Sequence, residues 1–389
     1  MSEVRACFIL PNVMGGCFVN CSNICHSIIA AGGDALLIIT HSEDWIGIDP
    51  ELLKGIKHVV IRYRRNDSKY HLFQKLKRHI TDFDADTIVL NDLVDYQLVR
   101  TEQLSQQVIA ILHGDYNYYY ELAINSAPRI DKFVCVSELM KQKLVELLPE
   151  RKEDIVYIPP MTRDFFIDRQ TGGEDLSVLF VGRMTEEKGF QLLPKIDNAL
   201  ADDGYSVKWT VIARRITSEF DTWISKPNVH HREVVDNADM LEVYKKNDLL
   251  LLPSTEEGTP LALLEAMKAG VVPLVSDLPT ISTNILMDGT TGYRLPINDA
   301  IAYVSKIEKL YKNRNHLNEM SQNAAAKSSD LFSVKAVSAV WQSILHDNKS
   351  KKDTSAVVAS AYDRLDKAWL PNSIVSWLRK VRQKNNERI

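Results

Sequence analysis

What this chain lacks narrows its identity first. No G-x-G-x-x-G follows the first apolar run, which argues against a dinucleotide enzyme, and no G-x-x-x-x-G-K-[ST] phosphate loop is present. No apolar run approaches the roughly eighteen residues that a membrane-crossing helix requires. The five cysteines are an odd number without framework spacing, so a reducing compartment is expected rather than a disulfide scaffold. Neither sign of charge dominates: the formal net charge is -4 and the pI is near 6.2, which gives no support to global nucleic-acid binding. The N-terminus runs straight into a strand-like segment without a signal-peptide layout, so a cytoplasmic location is expected.

What is present is ordinary globular material in an informative order. A chain of 389 residues has room for two domains with full cores. Short apolar runs at 5–10, 35–40, 59–61, 87–90, 108–112, 132–136 and 155–158 alternate with helical patterns, as do later runs at 177–181, 208–213, 249–252 and 271–276. Such alternation predicts stacked βαβ units and parallel sheets. The fold class expected is α/β, with two doubly wound Rossmann-like domains facing a central cleft. The predicted division is 1–165, 172–345 and a helical tail over 346–389, with linker composition at 170–173.

The most informative segment is PSTEEGTPLALLEAM, from Pro253 to Met267. It follows an apolar run that reads as a buried parallel strand. Thr259 is predicted to cap a helix, with Pro260 at its first position, where a missing N–H costs nothing. Leu261, Leu264 and Met267 then recur at helical spacing. The predicted unit is strand, short loop, helix, with backbone N–H groups at a mouth that favours an anion. Glu257 lies just before that mouth and Glu265 about one turn inside. A ligand carrying a sugar, a phosphate pair and a second sugar matches this order.

The segment resembles the E-x7-E signature of glycosyltransferase family 4, retaining enzymes of the GT-B fold. VGRMTEEKG, from Val181 to Gly189, is similar to that family's G-R-x-x-x-x-K-G segment. Weaker matches follow in the family's order: Gly15 and Gly16, His113 and Gly114, Val136 to Glu138, Ile158 and Pro159, and Asp288 to Tyr293. The resemblance covers roughly residues 4–345. It implies a donor-binding set of Gly15, Gly16, Gly182, Arg183, Lys188, Glu257, Gly258, Thr259, Pro260, Leu261 and Glu265. It implies a catalytic set of Glu257, Arg183, Lys188 and His113, with no metal and no other cofactor.

The chemistry of these residue types fits those roles. A departing diphosphate gathers negative charge, and cations aimed at it favour the transition state over the ground state. Arg183 offers a planar fork and Lys188 a point charge. Glu265 is placed to accept both ribose hydroxyls, and the resemblance puts Glu257 beside the transferred sugar. Two departures stand out. Relatives commonly show E-G-F-G-L where this chain has Pro260, and Asn-Gly where it has Pro160 and Met161. Tyr116, Tyr118, Tyr119 and Tyr120 follow His113 and read either as sugar-stacking aromatics or as helix packing.

Two other constellations read as structural. Cys17, Cys21 and Cys25 are spaced four apart with His26 following, but on a helix the outer pair stands ~12 Å apart, too far for one metal ion. Asp82, Asp84 and Asp86 lack the glycine and terminal glutamate of a calcium loop. In the tail, Lys349 to Asp353 is a charged break. Beyond Pro371, the residues Ile374, Trp377, Leu378 and Val381 share one helix face opposite Arg379, Lys380, Arg382 and Lys384. That helix reads as docked on the N-terminal domain, as lying on an anionic membrane surface, or as a frayed end. The expected function is retaining transfer of a sugar from a nucleoside-diphosphate sugar to a glycan or lipid-linked glycan in surface polysaccharide synthesis. The alternatives are a non-catalytic scaffold of the same fold and a nucleotide-sugar epimerase.

Overall fold

Runs of β-branched and aliphatic residues between turn signals become strands buried on both faces, and a computed structural model shows thirteen of them among the described residues. Those residues are 3–12, 15–42, 50–164, 175–233, 239–347, 352 and 358–386. The first seven strands are β1 Arg5–Pro11, β2 Asp34–Ser42, β3 Lys57–Tyr63, β4 Thr87–Leu90, β5 Gln107–Leu112, β6 Lys132–Cys135 and β7 Ile155–Tyr157. They form one sheet in the order β3-β2-β1-β4-β5-β6-β7, every pairing parallel.

The second sheet contains β8 Leu176–Val181, β9 Val207–Ile212, β10 Val229–Arg232, β11 Leu249–Leu252, β12 Val272–Ser276 and β13 Tyr293–Leu295. Its order is β10-β9-β8-β11-β12-β13, again parallel throughout. Strand side chains alternate between two apolar layers. Val178, Phe180, Leu249 and Leu251 enter one cluster, while Leu179, Leu250 and Leu252 enter the other. The edge strands β10 and β13 are absent from the sequence expectation. Val229–Arg232 reads Val-His-His-Arg, and β13 has only three residues, so neither carries a buried-strand pattern.

The chain divides into two compact units. Unit 1 holds Met1–Val136, Lys141–Ile158 and Ser338–Ile389, and unit 2 holds Ser137–Met140 and Pro159–Val337. The crossing therefore falls at Ile158 and Pro159, earlier than the predicted 165. The return falls at Ser338, earlier than the predicted 345. The expected linker at 170–173 lies outside the described residues, as does the charged break at 349–353 apart from Lys352.

The tail completes unit 1. Helix Lys69–Phe83 begins at Ser68, whose side chain makes no cap bond. Instead Asp366 accepts from the Lys69 N–H at 2.7 Å and Asn372 from the Ser68 N–H at 2.7 Å. These satisfy donors that a helix start leaves open, and Asp366 adds a favourable charge at the positive end. Arg379 pairs with Asp366 at 2.9 Å and with Asp363 at 2.8 Å. Helix Asn372–Asn386 thus rests on unit 1 through Val375 and Arg379. The expected polar face is corrected here: Arg379 is drawn inward by the two aspartates, whereas Ile374, Trp377 and Val381 are exposed. The side chains of Arg382 and Lys384 lie outside the described residues. No helix among the described residues is long and apolar enough to cross a membrane.

Candidate active site

In each sheet the strand order reverses beside the first strand, between β1 and β4 and between β8 and β11. Loops leaving the carboxyl ends of such strand pairs splay apart, and ligands of doubly wound sheets bind there. Both motifs of unit 2 sit on that pair of loops.

The two loops are held together by backbone. Gly189 has φ +69°, and a Cβ there would stand 2.0 Å from the Pro253 carbonyl oxygen. Only glycine allows that approach. The Thr255 N–H donates to the Glu187 carbonyl at 2.8 Å, closing the same seam. With the backbones so close, Lys188 Nζ donates to Glu257 Oε1 at 2.8 Å. Ser254 Oγ donates to the same oxygen at 2.8 Å. Glu256, the immediate neighbour, is exposed, so it is Glu257 that meets the lysine. Arg183 has a side chain 61% exposed and donates to Glu187 at 2.9 and 3.1 Å. Glu187 also lies 3.6 Å from Lys188, so one carboxylate gathers both cations.

Helix Leu261–Lys268 starts one residue later than predicted. Pro260, with ψ 125°, is the N-cap, and its carbonyl accepts from the Leu263 and Leu264 N–H groups. Thr259 therefore stands outside the helix, buried beside it, with Gly258 also buried. The proline ring fixes φ but leaves ψ extended, which moves the cap from threonine to proline. Within the helix Leu263, Leu264, Ala266 and Met267 face the core, while Leu261 is partly exposed at the mouth.

Glu265 sits in that helix with Tyr244 donating to its Oε2 at 2.8 Å. Burial pushes its carboxyl up to about 7, against the opposing pull of Tyr244, Lys268 and Arg163. Lys268 is buried and donates to Asp164 at 2.7 Å and to the carbonyls of Thr162 and Arg163 at 3.3 Å. Its own pKa is lowered, chiefly by burial. Tyr244, Ser254 and Glu187 are partners that sequence reasoning missed. Ser254 and Glu187 fall at variable positions inside the two motif segments, and Tyr244 reads as a core aromatic on a short helix.

Of the remaining predicted residues, Gly15, Gly16 and His113 lie in unit 1. Gly16 opens helix Gly16–Ala30 with Gly15 as its cap, and a Cβ on Gly15 would meet nothing within 4 Å. Gly182, in unit 2, follows β8, and a Cβ there would stand 3.2 Å from the Phe180 ring. His113 follows β5, and its Nε2 donates to Asn91 Oδ1 at 2.8 Å. Asn91 uses its Nδ2 on the carbonyls of Ile9 and Val89, so its oxygen is the end facing the imidazole. The tyrosines divide between the two readings. Tyr120 is buried and donates to Asp115 at 2.6 Å, whereas Tyr118 is exposed and donates to Asp92. A cavity of about 210 Å³ opens beside this last pair, lined by Pro11, Tyr63, Asp92, Asp95 and Tyr118.

Other motif residues serve the scaffold. Asp288 accepts from the Arg294 N–H at 2.9 Å, and a Cβ on Gly292 would stand 2.4 Å from the Pro273 carbonyl. Asp84 takes a left-handed conformation at the end of helix Lys69–Phe83, and Asp86 accepts from the Arg5 N–H.

Residues 163–327 match the family model described as Glycosyl transferases group 1. The UDP-N-acetylglucosamine–peptide N-acetylglucosaminyltransferase GtfA subunit of Streptococcus pneumoniae is 24% identical over 269 residues, 64% of this chain and 52% of that protein. The capsular polysaccharide biosynthesis glycosyltransferase CapM of Staphylococcus aureus is 24% identical over 304 residues, 77% of this chain and 67% of that protein. The chain spans about half the length of the GtfA relatives it matches. Among solved structures, Anabaena HepE in complex with UDP-glucose superposes with a TM-score of 0.71 at 17% identity, over 88% of this chain and 99% of that one. A glycosyltransferase from Rickettsia africae gives a TM-score of 0.71 at 14% identity, over 90% and 99%.

The two Rossmann-like units have the GT-B fold of these structures, and residues 163–327 match a family of glycosyl transferases. The assignment to family 4 is corrected: the matching model is that of group 1. Both motifs that suggested the former, at 181–189 and 253–267, fall inside the residues matched to the latter.

Proposed function

We propose that this chain is a retaining glycosyltransferase that moves a sugar from a nucleoside diphosphate to a hydroxyl of a glycan or lipid-linked glycan, in the making of a surface polysaccharide. The observation that carries the reading is the 2.8 Å pair of Lys188 and Glu257 beside the start of helix Leu261–Lys268, with Glu265 one turn inside. Lysine has three donors, and the pair with Glu257 leaves others for phosphate oxygens. The helix start adds N–H groups and a positive dipole end toward the same anion. Glu265 suits a ribose, since an ionised carboxylate accepts from two hydroxyls at once. The chain's relatives point the same way: CapM acts in capsular polysaccharide biosynthesis, and HepE was solved with UDP-glucose. A UDP-sugar is therefore the first donor to test.

Retention is what the resemblance implies, and the commitment of the carboxylates bears on its route. Double displacement needs a carboxylate free to attack the anomeric carbon. Glu257 is held by Lys188 and Ser254, which favours same-face attack with a donor phosphate oxygen taking the acceptor proton. We propose no metal for this step, because lysine, arginine and helix N–H groups already supply positive charge toward the leaving diphosphate. The cavity beside Asp92 and Tyr118 is our candidate for acceptor binding.

We also propose that the chain works at the cytoplasmic face of a membrane, touching it through the tail. Trp369 is 78% exposed and Trp377 62%, with Ile374 and Val381 exposed on the same helix face as Trp377. Residues 372–386 carry four basic residues and no acidic one, in a chain of net charge -4. Exposed indoles flanked by cations suit the headgroup region of an anionic bilayer.

Calorimetric titration with UDP, GDP, ADP and their sugar conjugates, without added metal, tests the donor site. Saturable binding of one nucleotide, lost in Lys188→Ala, is the expected result. Product NMR then reads the anomeric configuration. Nucleotide binding without any turnover would turn the reading toward a scaffold, and sugar inversion without acceptor toward an epimerase.

A further inference from the structure

We propose that Cys17, Cys21 and His113 form a binding site for a thiophilic divalent metal ion, of which zinc is the type case. One ligand atom from each of the three lies within 4.8 Å of the others. Cys17 and Cys21 are one turn apart on helix Gly16–Ala30 and so share a face. His113 reaches them from the end of β5. Sequence spacing points instead to Cys25 and His26, which are not in the cluster.

The donor set decides the class of ion. Two thiolates and a neutral imidazole balance a divalent charge and prefer zinc or a similar soft ion over magnesium or calcium. Tetrahedral bonds of about 2.3 Å to sulfur and 2.0 Å to nitrogen place ligand atoms roughly 3.5–3.8 Å apart. The observed spread needs about 1 Å of side-chain adjustment to reach that. Cys21 is buried, while Cys17 and His113 are partly exposed, so an ion enters from one side and keeps a fourth position open.

The surroundings hold the ligands in place. Asn91 is fully buried, and its Oδ1 accepts from His113 Nε2 at 2.8 Å, which leaves Nδ1 for the ion; its bond from the Cys21 thiol at 3.2 Å is given up when that thiol ionises. Outer partners of this kind fix ligand orientation and tune metal affinity. The site lies where unit 1 reverses its strand order, beside the loops after β1, β4 and β5. An ion bound there takes a ring nitrogen of His113 and withdraws it from other work, so the ion acts as an inhibitor of whatever His113 does and not as a cofactor. This inference stands on residues of unit 1 alone.

The test is titration of the metal-free, reduced full chain with Co2+, followed by displacement with Zn2+. One equivalent of Co2+ should produce a thiolate-to-cobalt charge-transfer absorption that Zn2+ removes. Cys17→Ser should weaken binding by about tenfold or more, and Cys25→Ser, on the same helix but outside the cluster, should leave it unchanged. No such absorption, or one that survives Cys17→Ser at full affinity, would overturn the proposal. Should Cys21→Ser fail to fold because its site is buried, alkylation of Cys17 read by mass spectrometry gives a second measure. Zinc should slow that labelling in the natural chain, and equal labelling with and without zinc counts against the site.

Discussion

Lys188 and Glu257 come from loops on two different strands, 69 residues apart in sequence, and meet at 2.8 Å with both side chains largely buried. The lysine serves both as the partner of a largely buried carboxylate and as the proposed clamp on a diphosphate. Lys188→Ala should raise the donor's dissociation constant by roughly ten- to a hundredfold, since a charged hydrogen bond contributes ~1.5–3 kcal/mol. Calorimetry with the donor nucleotide measures it. Unchanged affinity would remove Lys188 from the donor site.

In the ribose role proposed for it, Glu265 should make donor binding depend on pH. Its carboxyl is raised from the ordinary 4.5 to about 7, mainly by burial, and only the ionised form accepts from both ribose hydroxyls. Affinity should fall about tenfold per pH unit below 7 and level off above it. Glu265→Gln should flatten that profile, and a mutant that keeps the natural slope would exclude the residue as its source. The sign for folding is opposite. A raised folded-state pKa contributes stability that is complete below 4.5 and is lost as pH climbs through 7.

Two glycines separate backbone need from ligand need. Gly189→Ala places a Cβ 2.0 Å from the Pro253 carbonyl at φ +69°, so it should lower stability by ~2 kcal/mol or more. Gly15→Ala meets open space at an extended φ of 168° and should leave the unfolding temperature unchanged. A stability loss at Gly15 equal to that at Gly189 would refute this division.

The tail gives a vesicle experiment. Co-sedimentation with anionic vesicles should drop about tenfold in Trp377→Ala, because inserting a large apolar side chain contributes ~1.5–3 kcal/mol. Trp369→Ala should add to the loss. Failure of the natural chain to sediment with anionic vesicles would rule out the contact.

The α/β alternation was legible because buried parallel strands are continuous apolar runs, and all seven strands of unit 1 stand where such runs lie. Strands β10 and β13 were not, since Val-His-His-Arg at a sheet edge carries no burial pattern. Loop position was also legible: the motifs at 181–189 and 253–267 leave adjacent strands β8 and β11. Partnership was not. Glu187 beside Arg183, Ser254 beside Glu257 and Tyr244 beside Glu265 depend on loop closure and on helices meeting in space, which spacing along a chain does not encode. The same holds for His113 beside Cys17 and Cys21, where a correct estimate for Cys25 led the sequence reading away from the real neighbour.

The bond from the Lys69 N–H to Asp366 spans 297 residues. Synthesis proceeds from the N-terminus, so the first half of unit 1 leaves the ribosome long before the carboxylate that caps its helix exists. Unit 2, almost all of it one continuous stretch ending at Val337, has its whole sheet before then. All strands of the second Rossmann-like unit thus precede, in translation, the carboxylate that caps a helix of the first. Nascent chains arrested just after Val337 should therefore show a protease-resistant unit 2 beside a still-labile unit 1.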